Sequence, residues 1–258
     1  MDTLESFSLR GAVVILTGGA GLYGRGLAAQ LAEAGASLVI ASRNAGALET
    51  VAAEERAKGR SVVAEPLDQA DEKSVLALRD RVLARFGRID GLVNNAVGRP
   101  MKSPDDPLSA WEESMRVNAT GLFAMTRAIG GVMTAQGAGS IVNIASMMGT
   151  LGPNLAAYEG TDMKTVPDYF FHKGGMINLT RYFAALYGPA GVRVNCVSPG
   201  GFANRQPAAF VERYNKRTML GRMAGPRDLG GAVVFLLSPA SSYVTGVNLP
   251  VDGGYTAK

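Results

Sequence analysis

Two tyrosines and a lysine lie in the stretch "LAAYEGTDMKTVPDYFFHK" (155–173), and their spacing suggests proton-transfer chemistry. Lys173 follows Tyr169 by four residues, and residues i and i+4 of a helix share one face. A cation at that position favours the ionised phenol, which can then exchange a proton with a substrate. Tyr158 has Asp162 at the same spacing, and a carboxylate opposes ionisation of a phenol. The pattern therefore favours Tyr169 over Tyr158.

The segment that precedes Tyr169 is predicted to be a loop followed by a helix start. The glycine, acidic residues and proline of "EGTDMKTVP" are typical of a loop. Pro167 suits the first position of a helix, and Asp168 adds favourable negative charge to the first turn. Long loops often act as lids, so we expect residues 147–167 to be mobile without ligand and to order over a substrate.

The chain contains one cysteine and one histidine, which limits the other chemistries open to it. Cys196 cannot form an internal disulfide, and it lies in an apolar segment that predicts an inert buried thiol. His172 alone cannot build a multi-histidine metal site, and we expect no metal. We expect His172 to pack against a neighbouring element, with a place beside Tyr169 as the alternative.

Composition excludes several classes of protein. The 258 residues are 47% hydrophobic, and no apolar run reaches the ~18 residues of a membrane span. The N-terminus "MDTLESFSLRG" lacks the basic and apolar regions of a signal peptide. The net charge is +4, but the basic residues are scattered rather than clustered as nucleic-acid binding requires. We therefore expect a cytoplasmic protein without a membrane or nucleic-acid partner.

The elements that must position these side chains follow a repeating order. Short apolar runs alternate with segments of helical periodicity, which is typical of βαβ units. The predicted strands lie in "GAVVILTGG", "SLVIAS", "SVVAEPLD", "IDGLVNNA", "GSIVNIAS", "VRVNCVSPG" and "VTGVNLPVDGG". The expected fold is α/β: a single domain over 1–258, with a Rossmann-like doubly wound parallel sheet and helices on both faces.

A glycine-rich turn connects the first predicted strand to the first helix. In "TGGAGLYGRG", Gly19, Gly21 and Gly24 satisfy G-x-G-x-x-G. In a strand–turn–helix context, such glycines allow a pyrophosphate to approach the backbone, and the helix N-terminus attracts its charge. This turn predicts a dinucleotide site.

Several segments in this order resemble the motifs of the short-chain dehydrogenase/reductase family, in its single-domain branch of about 250 residues. They are "TGGAGLYGRG", "NNAV", "VNATG", "IVNIAS", "YFFHK", "VNCVSPGG" and "SSYVTGVNLPVDGG". The resemblance covers essentially the whole chain. It implies NAD(P)-dependent hydride transfer between nicotinamide C4 and a secondary alcohol or ketone.

The resemblance also implies a catalytic set of Asn118, Ser146, Tyr169 and Lys173. Tyr169 would exchange the proton, Lys173 would also bind the nicotinamide ribose, and Ser146 would hold the substrate oxygen. Asn118 would support Lys173 through water and a helix irregularity. In the family the tyrosine follows the serine by about a dozen residues. That count fits Tyr158, whereas the charge pattern favours Tyr169 and makes 147–167 an extended loop.

The cofactor-binding residues implied by the resemblance come from all parts of the chain. They are Gly18, Gly21, Leu22, Tyr23, Gly24, Ser42, Arg43, Asp68, Asn94, Asn95, Ala96, Tyr169, Lys173, Pro199, Gly200 and Phe202. Leu22 stands where the family has its middle glycine, Val97 replaces the glycine of N-N-A-G, and Asn204 replaces a threonine that commonly contacts the nicotinamide.

The second predicted strand bears on the choice of cofactor. An acidic residue at its end binds the ribose 2′-hydroxyl of NAD, whereas an arginine accepts the 2′-phosphate of NADP. Here the strand ends in Ser42 followed by Arg43. We therefore expect NADP(H) to be preferred, with NAD(H) as the alternative. By the resemblance, Asp68 contacts the adenine.

The substrate is expected to be a sugar, polyol or related small molecule. The rim should come from 97–107, 147–167 and a cap at about 202–225. Its cations make an anionic substrate one option: Arg99, Lys102, Arg205, Arg213, Lys216 and Arg217. The extended loop is similar to that of members in bacterial surface-sugar pathways. A 3-oxoacyl thioester reductase is the alternative substrate class, and a catalytically silent cofactor-binding regulator or scaffold is the alternative of another kind.

By the same resemblance, the long helices near 108–136 and 168–187 pair between subunits. We therefore expect a homo-oligomer, either a tetramer or a dimer.

Overall fold

A computed structural model describes residues 2–258. It contains one seven-stranded sheet in the order β3-β2-β1-β4-β5-β6-β7, and every neighbouring pair of strands is parallel. The strands are β1 Val13–Thr17, β2 Ser37–Ser42, β3 Val62–Pro66, β4 Gly91–Asn94, β5 Gly139–Ile144, β6 Val192–Pro199 and β7 Asn248–Val251. The predicted α/β fold with a doubly wound parallel sheet is confirmed.

Eight α-helices connect and cover these strands within the described residues. They are α1 Leu22–Glu33, α2 Ala45–Arg56, α3 Glu72–Phe86, α4 Leu108–Met115, α5 Gly121–Gln136, α6 Pro167–Tyr187, α7 Ala208–Arg217 and α8 Gly230–Leu237. Among these residues, no helix is both long enough and apolar enough to cross a membrane.

The two faces of the sheet carry separate apolar cores, because successive strand residues point to opposite sides. Val14 and Leu16 of β1 belong to the core that also contains the buried faces of α1, α2 and α8. Val13 and Ile15 belong to the core that contains those of α3, α5 and α6. This layering confirms helices on both faces. Because all the strands are parallel, the carboxyl ends of β1, β2, β4, β5 and β6 lie at one edge of the sheet.

Two helical features shape that edge. A π-helical turn at Arg116–Thr120 joins α4 to α5, which matches the irregularity expected around Asn118. Pro167 occupies the first turn of α6, as its restricted φ angle favours, and α6 runs for 21 residues to Tyr187.

The segment that precedes α6 is packed against α7. It contains two short 3-10 turns, Met147–Gly149 and Leu155–Ala157. Met147 and Ala157 are buried in an apolar cluster with Phe210 and Tyr214 of α7. These contacts anchor the segment, because its scattered apolar side chains pack against a helix that follows much later in the chain.

Candidate functional site

A cleft of about 790 Å³ opens at the carboxyl ends of the strands. It lies where the chain order reverses between β1 and β4, the place where open parallel sheets bind ligands. Its walls come from the glycine-rich turn, the ends of β2, β4, β5 and β6, and the start of α6. The predicted residues that line it are Gly18, Gly21, Leu22, Tyr23, Ser42, Arg43, Asp68, Asn95, Ala96, Ser146, Tyr169, Lys173, Pro199, Gly200 and Phe202.

Tyr169, Lys173 and Ser146 meet in this cleft. The Lys173 Nζ lies 5.8 Å from the centre of the Tyr169 ring and donates to the Ile144 carbonyl at 2.5 Å. Ser146 is 6% exposed, and its Oγ accepts the Met148 N–H at 3.1 Å. Complete burial, helped by the nearby Arg99, lowers the pKa of Lys173 from 10.5 to about 7. A negative charge placed beside Lys173, such as an ionised phenol, would favour the protonated amine and raise this pKa again.

Tyr158 lies elsewhere. Its ring packs edge-on against Phe210 of α7 at 5.1 Å, within the cluster that anchors residues 147–166. Burial raises the pKa of the Tyr158 phenol. The structure therefore brings Tyr169, and not Tyr158, to the cleft with Lys173.

Two further groups contact Tyr169. The Arg99 guanidinium carbon lies 4.8 Å from the centre of the Tyr169 ring, and Arg99 has no ion-pair partner among residues 2–258. His172 packs edge-on against the same ring at 5.3 Å and is only 3% exposed. Neither of its ring nitrogens has a hydrogen-bond partner in the described chain. Burial, with Lys173 and Arg99 nearby, lowers the pKa of His172 from 6.5 to about 3.

Asn118 lies behind the cleft, in the π-helical turn, and is 3% exposed. Its Oδ1 accepts the Gly98 N–H at 2.9 Å, and its Nδ2 donates to the Gly98 carbonyl at 2.8 Å. Nδ2 also lies 3.0 Å from Ser114 Oγ. The side chain thus holds the segment after β4 against α4, a position consistent with a supporting role.

The glycine-rich turn brings the backbone close to neighbouring segments and leaves the start of α1 uncapped. Gly18 has φ +68°, and a Cβ there would lie 2.9 Å from the Ala96 Cα. A Cβ on Gly24 would lie 2.0 Å from the Gly18 carbonyl oxygen, so Gly24 packs behind the turn. No side chain within the described residues caps α1, which leaves its first N–H groups free to face the cleft. Leu22 lies at the open side of the cleft, with 54% of its surface exposed.

Two asparagines that follow β4 have different surroundings. Asn95 Nδ2 donates to the carbonyls of Thr17 and Gly18 at 3.0 and 3.1 Å and so braces the glycine-rich turn. Asn94 is 2% exposed and donates to Asn143 Oδ1 at 2.8 Å, which places it behind the cleft. Neighbouring strand residues face opposite sides, so Asn95 lines the cleft and Asn94 does not.

After β2, Arg43 is exposed and lines the cleft beside Ser42. After β3, Asp68 also lines the cleft, and its Oδ1 accepts the Ala70 N–H at 3.0 Å. At the other end, the Tyr23 hydroxyl donates to the Gly200 carbonyl at 2.7 Å, and the ring meets Phe202 edge-on at 4.9 Å. This contact ties α1 to the segment that follows β6.

Of the six cations expected at the rim, Arg99 lines the cleft. Lys102 donates to the Arg99 carbonyl at 2.8 Å, and Arg213 donates to the Glu159 carbonyl. Lys216 pairs with Glu212 on α7. Cleft-lining residues that the sequence did not assign to the cofactor or catalysis include Gln69, Val97, Met147, Met148 and Gln206. They follow strand ends, and that position is the signal that could have identified them.

Comparisons with known proteins agree with this geometry. A family model described as enoyl-(acyl carrier protein) reductase matches residues 21–256. A solved short-chain type dehydrogenase/reductase from Mycobacterium marinum shares 32% identity and a TM-score of 0.89, with 100% of both chains covered. The chain belongs to the short-chain dehydrogenase/reductase family. It is accordingly an NAD(P)-dependent oxidoreductase acting on CH–OH groups.

Two other relatives within this family are informative. The chain is similar to a cis-4-hydroxycyclohexanecarboxylate dehydrogenase from Sinomonas cyclohexanicum, with 38% identity over 98% of this chain and 99% of that protein. It is also similar to a solved gluconate 5-dehydrogenase from Burkholderia cenocepacia, in complex with NADP and tartrate. That structure has 35% identity and a TM-score of 0.90, with 100% of both chains covered.

Proposed function

We propose that this short-chain dehydrogenase/reductase interconverts a secondary alcohol and a ketone on a small hydroxy acid, either a sugar acid or a ring carboxylic acid. The observation that carries the proposal is the Arg99 guanidinium over the Tyr169 ring, without an ion-pair partner among residues 2–258. A planar guanidinium is suited to bind a carboxylate through two parallel hydrogen bonds. The two relatives named for a hydroxycyclohexanecarboxylate and for gluconate support this substrate class.

The roles proposed for the catalytic residues follow from their positions. A bound nicotinamide supplies the hydride acceptor or donor at its C4. Tyr169 takes the hydroxyl proton during oxidation and returns it during reduction. Ser146 holds the substrate oxygen beside the phenol. Lys173 stabilises the ionised phenol and binds the nicotinamide ribose, and Asn118 supports this arrangement from behind the cleft.

NADP(H) is the proposed preferred cofactor, with NAD(H) as the alternative. Ser42 stands where NAD-binding proteins have a carboxylate, so no negative charge at this position repels a 2′-phosphate. Arg43 is exposed at the same edge of the cleft and is suited to bind that phosphate. The free N–H groups of α1 and the Gly18 turn would hold the pyrophosphate. Asp68 would contact the adenine, and Pro199, Gly200 and Phe202 would flank the nicotinamide.

The remaining features of the proposal concern the whole chain. We propose that residues 1–258 form one domain, in which the cap at 202–225 covers the substrate.

Large apolar side chains on α5 and α6 are exposed: Phe123 40%, Phe171 61%, Tyr182 60% and Leu186 54%. Surfaces of this kind mark protein interfaces, which supports a homodimer or homotetramer. A cytoplasmic location is consistent with NADP(H) use and with the single reduced cysteine.

A substrate panel tests the proposed function. It should contain hydroxycyclohexanecarboxylates, aldonates and uronates, neutral polyols of the same size, and 3-oxoacyl thioesters, each with both cofactors. We expect the hydroxy acids to have the highest kcat/KM. Arg99→Ala should lower that value for an acid by about 10–100-fold, because a charge-assisted hydrogen bond contributes about 1.5–3 kcal/mol.

Lys216→Ala is the matched control, because Lys216 is a rim cation that pairs with Glu212 outside the cleft. Its kinetic constants should equal those of the unmodified enzyme. Preferred turnover of neutral polyols or of 3-oxoacyl thioesters would overturn the hydroxy-acid proposal.

A further inference from the structure

Asp168, the residue immediately before Tyr169, is a buried carboxylate with an unusual environment. It is 2% exposed, although its place in the first turn of α6 would permit exposure to solvent. Its Oδ2 accepts the Ser114 hydroxyl at 2.6 Å, while its Oδ1 has no partner among the described residues. The helix dipole stabilises the charge only in part. A half-satisfied buried carboxylate opposes folding, which indicates a role beyond packing.

The Ser114 contact continues into a directed chain of hydrogen bonds. A carboxylate only accepts, so the Ser114 hydroxyl must donate to Asp168. The lone pairs of Ser114 are then left to accept from Asn118 Nδ2 at 3.0 Å. At its other end the Asn118 amide is held by Gly98, whose N–H donates to Oδ1 at 2.9 Å and whose carbonyl accepts from Nδ2 at 2.8 Å. Asp168, Ser114, Asn118 and Gly98 therefore form one continuous chain of hydrogen bonds.

Gly98 is followed directly by Arg99, whose guanidinium lies 4.8 Å from the centre of the Tyr169 ring. Tyr169 is in turn the neighbour of Asp168. The contacts therefore form a closed circuit of three segments: the start of α6, the α4 end with its π-helical turn, and the segment after β4. Within this circuit, the Asp168–Ser114 bond joins the start of α6 to the end of α4.

We propose that Asp168 is a positioning residue for the substrate: through Ser114 and Asn118 it holds Arg99 over Tyr169, so that a bound carboxylate places its alcohol carbon beside the phenol. This inference rests on the proposed function, because it takes Arg99 to be the carboxylate-binding cation. Asp168 itself touches neither substrate nor cofactor. Its effect is therefore expected in the binding of anionic substrates and to disappear when Arg99 is removed.

The test compares Asp168→Ala, Asp168→Asn and Ser114→Ala in the full-length enzyme, each with and without Arg99→Ala. Asp168→Ala should raise KM for a hydroxy acid by about tenfold, the effect of losing one charge-assisted hydrogen bond. KM for a neutral polyol and the dissociation constant of NADPH should change by less than about twofold, since neither ligand uses Arg99. Asp168→Asn keeps an acceptor oxygen for Ser114 and should restore most of the loss.

In the Arg99→Ala background, Asp168→Ala should raise KM no further, because the two residues act in series. Ser114→Ala removes the same hydrogen bond and should reproduce the Asp168→Ala defect. The double variant Asp168→Ala/Ser114→Ala leaves no unpaired buried carboxylate and should show the same defect, which keeps the test falsifiable if a single variant folds poorly. A purely structural role would instead raise KM for acids and polyols alike, or in both backgrounds.

The outcomes separate the two proposals. An Arg99→Ala enzyme with unchanged KM for acids overturns the proposed function and this inference with it. A raised KM in Arg99→Ala, with unchanged KM in both Asp168→Ala and Ser114→Ala, overturns this inference alone.

Quenching of the single tryptophan provides a readout independent of turnover. Trp111 lies on α4 beside Ser114 and packs against Phe171 of α6 at 5.3 Å, so acrylamide should quench it more in Asp168→Ala than in Asp168→Asn.

Discussion

Replacing His172 by phenylalanine should make the protein more resistant to acid. His172 is buried without a partner for either ring nitrogen among residues 2–258, and its pKa falls from 6.5 to about 3. Between these values the unfolded chain binds a proton that the folded chain rejects, so stability rises with pH and is lost as pH falls below 6.5. Between pH 7.5 and pH 5, this one group should remove about 2 kcal/mol of the free energy of unfolding.

Urea denaturation of both proteins at pH 7.5 and pH 5 measures this effect. Packing changes in His172→Phe contribute equally at the two pH values and cancel when the pH-dependent differences are subtracted. The chain contains no other histidine. The carboxylates and Lys173 are present in both proteins, so their contributions to the pH dependence also cancel. The unmodified protein should lose about 2 kcal/mol more than the variant between the two pH values. An equal loss in both proteins would refute the reasoning that burial keeps His172 neutral.

Three other outcomes are expected. Arg43→Ala should weaken NADPH binding by roughly 10–100-fold, the loss of a charge-assisted contact worth about 1.5–3 kcal/mol, and should leave NADH binding nearly unchanged. Tighter binding of NADH than of NADPH by the unmodified protein, measured by fluorescence titration, would contradict the proposed preference. Light scattering at micromolar concentration should give a dimer or tetramer, and a monomer would contradict the pairing of α5 and α6. Hydrogen exchange in residues 147–167 should slow when cofactor and substrate bind, even though Met147 and Ala157 anchor part of the segment. Equal protection in both states would argue against a lid.

Much of the fold follows from local patterns in the sequence. The apolar runs of β1 and β2 and the start of α6 at Pro167 are marked by periodicity and by residue type, and the structure has them as expected. The segment Gly230–Leu237 was not distinguished as a helix, because "GGAVVFLL" is apolar on all sides and shows no 3.6-residue period. Burial of α8 against the sheet decides its conformation instead.

Within the candidate site, local spacing placed Tyr169 and Lys173 together, because both belong to one helix. The contact between Arg99 and Tyr169 joins residues that are 70 positions apart, and no sequence period marks it. The sequence marks Asp168 only as a favourable charge at a helix start, and its burial against Ser114 of α4 is not visible there. Contacts of this kind depend on how separate elements dock and are invisible to local patterns.

Proton transfer by Tyr169 is the central step of the proposed reaction. The direct test is the turnover of Tyr169→Phe and Tyr158→Phe on the same hydroxy acid at saturating concentration, with NADPH affinity measured for each variant. Tyr169→Phe should lower kcat by at least about 10²–10⁴-fold, the contribution of a positioned acid–base group, while NADPH affinity stays nearly unchanged. Tyr158→Phe should retain most of the activity, because Tyr158 packs on Phe210 of α7 and does not line the cleft with Lys173. An inactive Tyr158→Phe enzyme beside an active Tyr169→Phe enzyme would contradict the account.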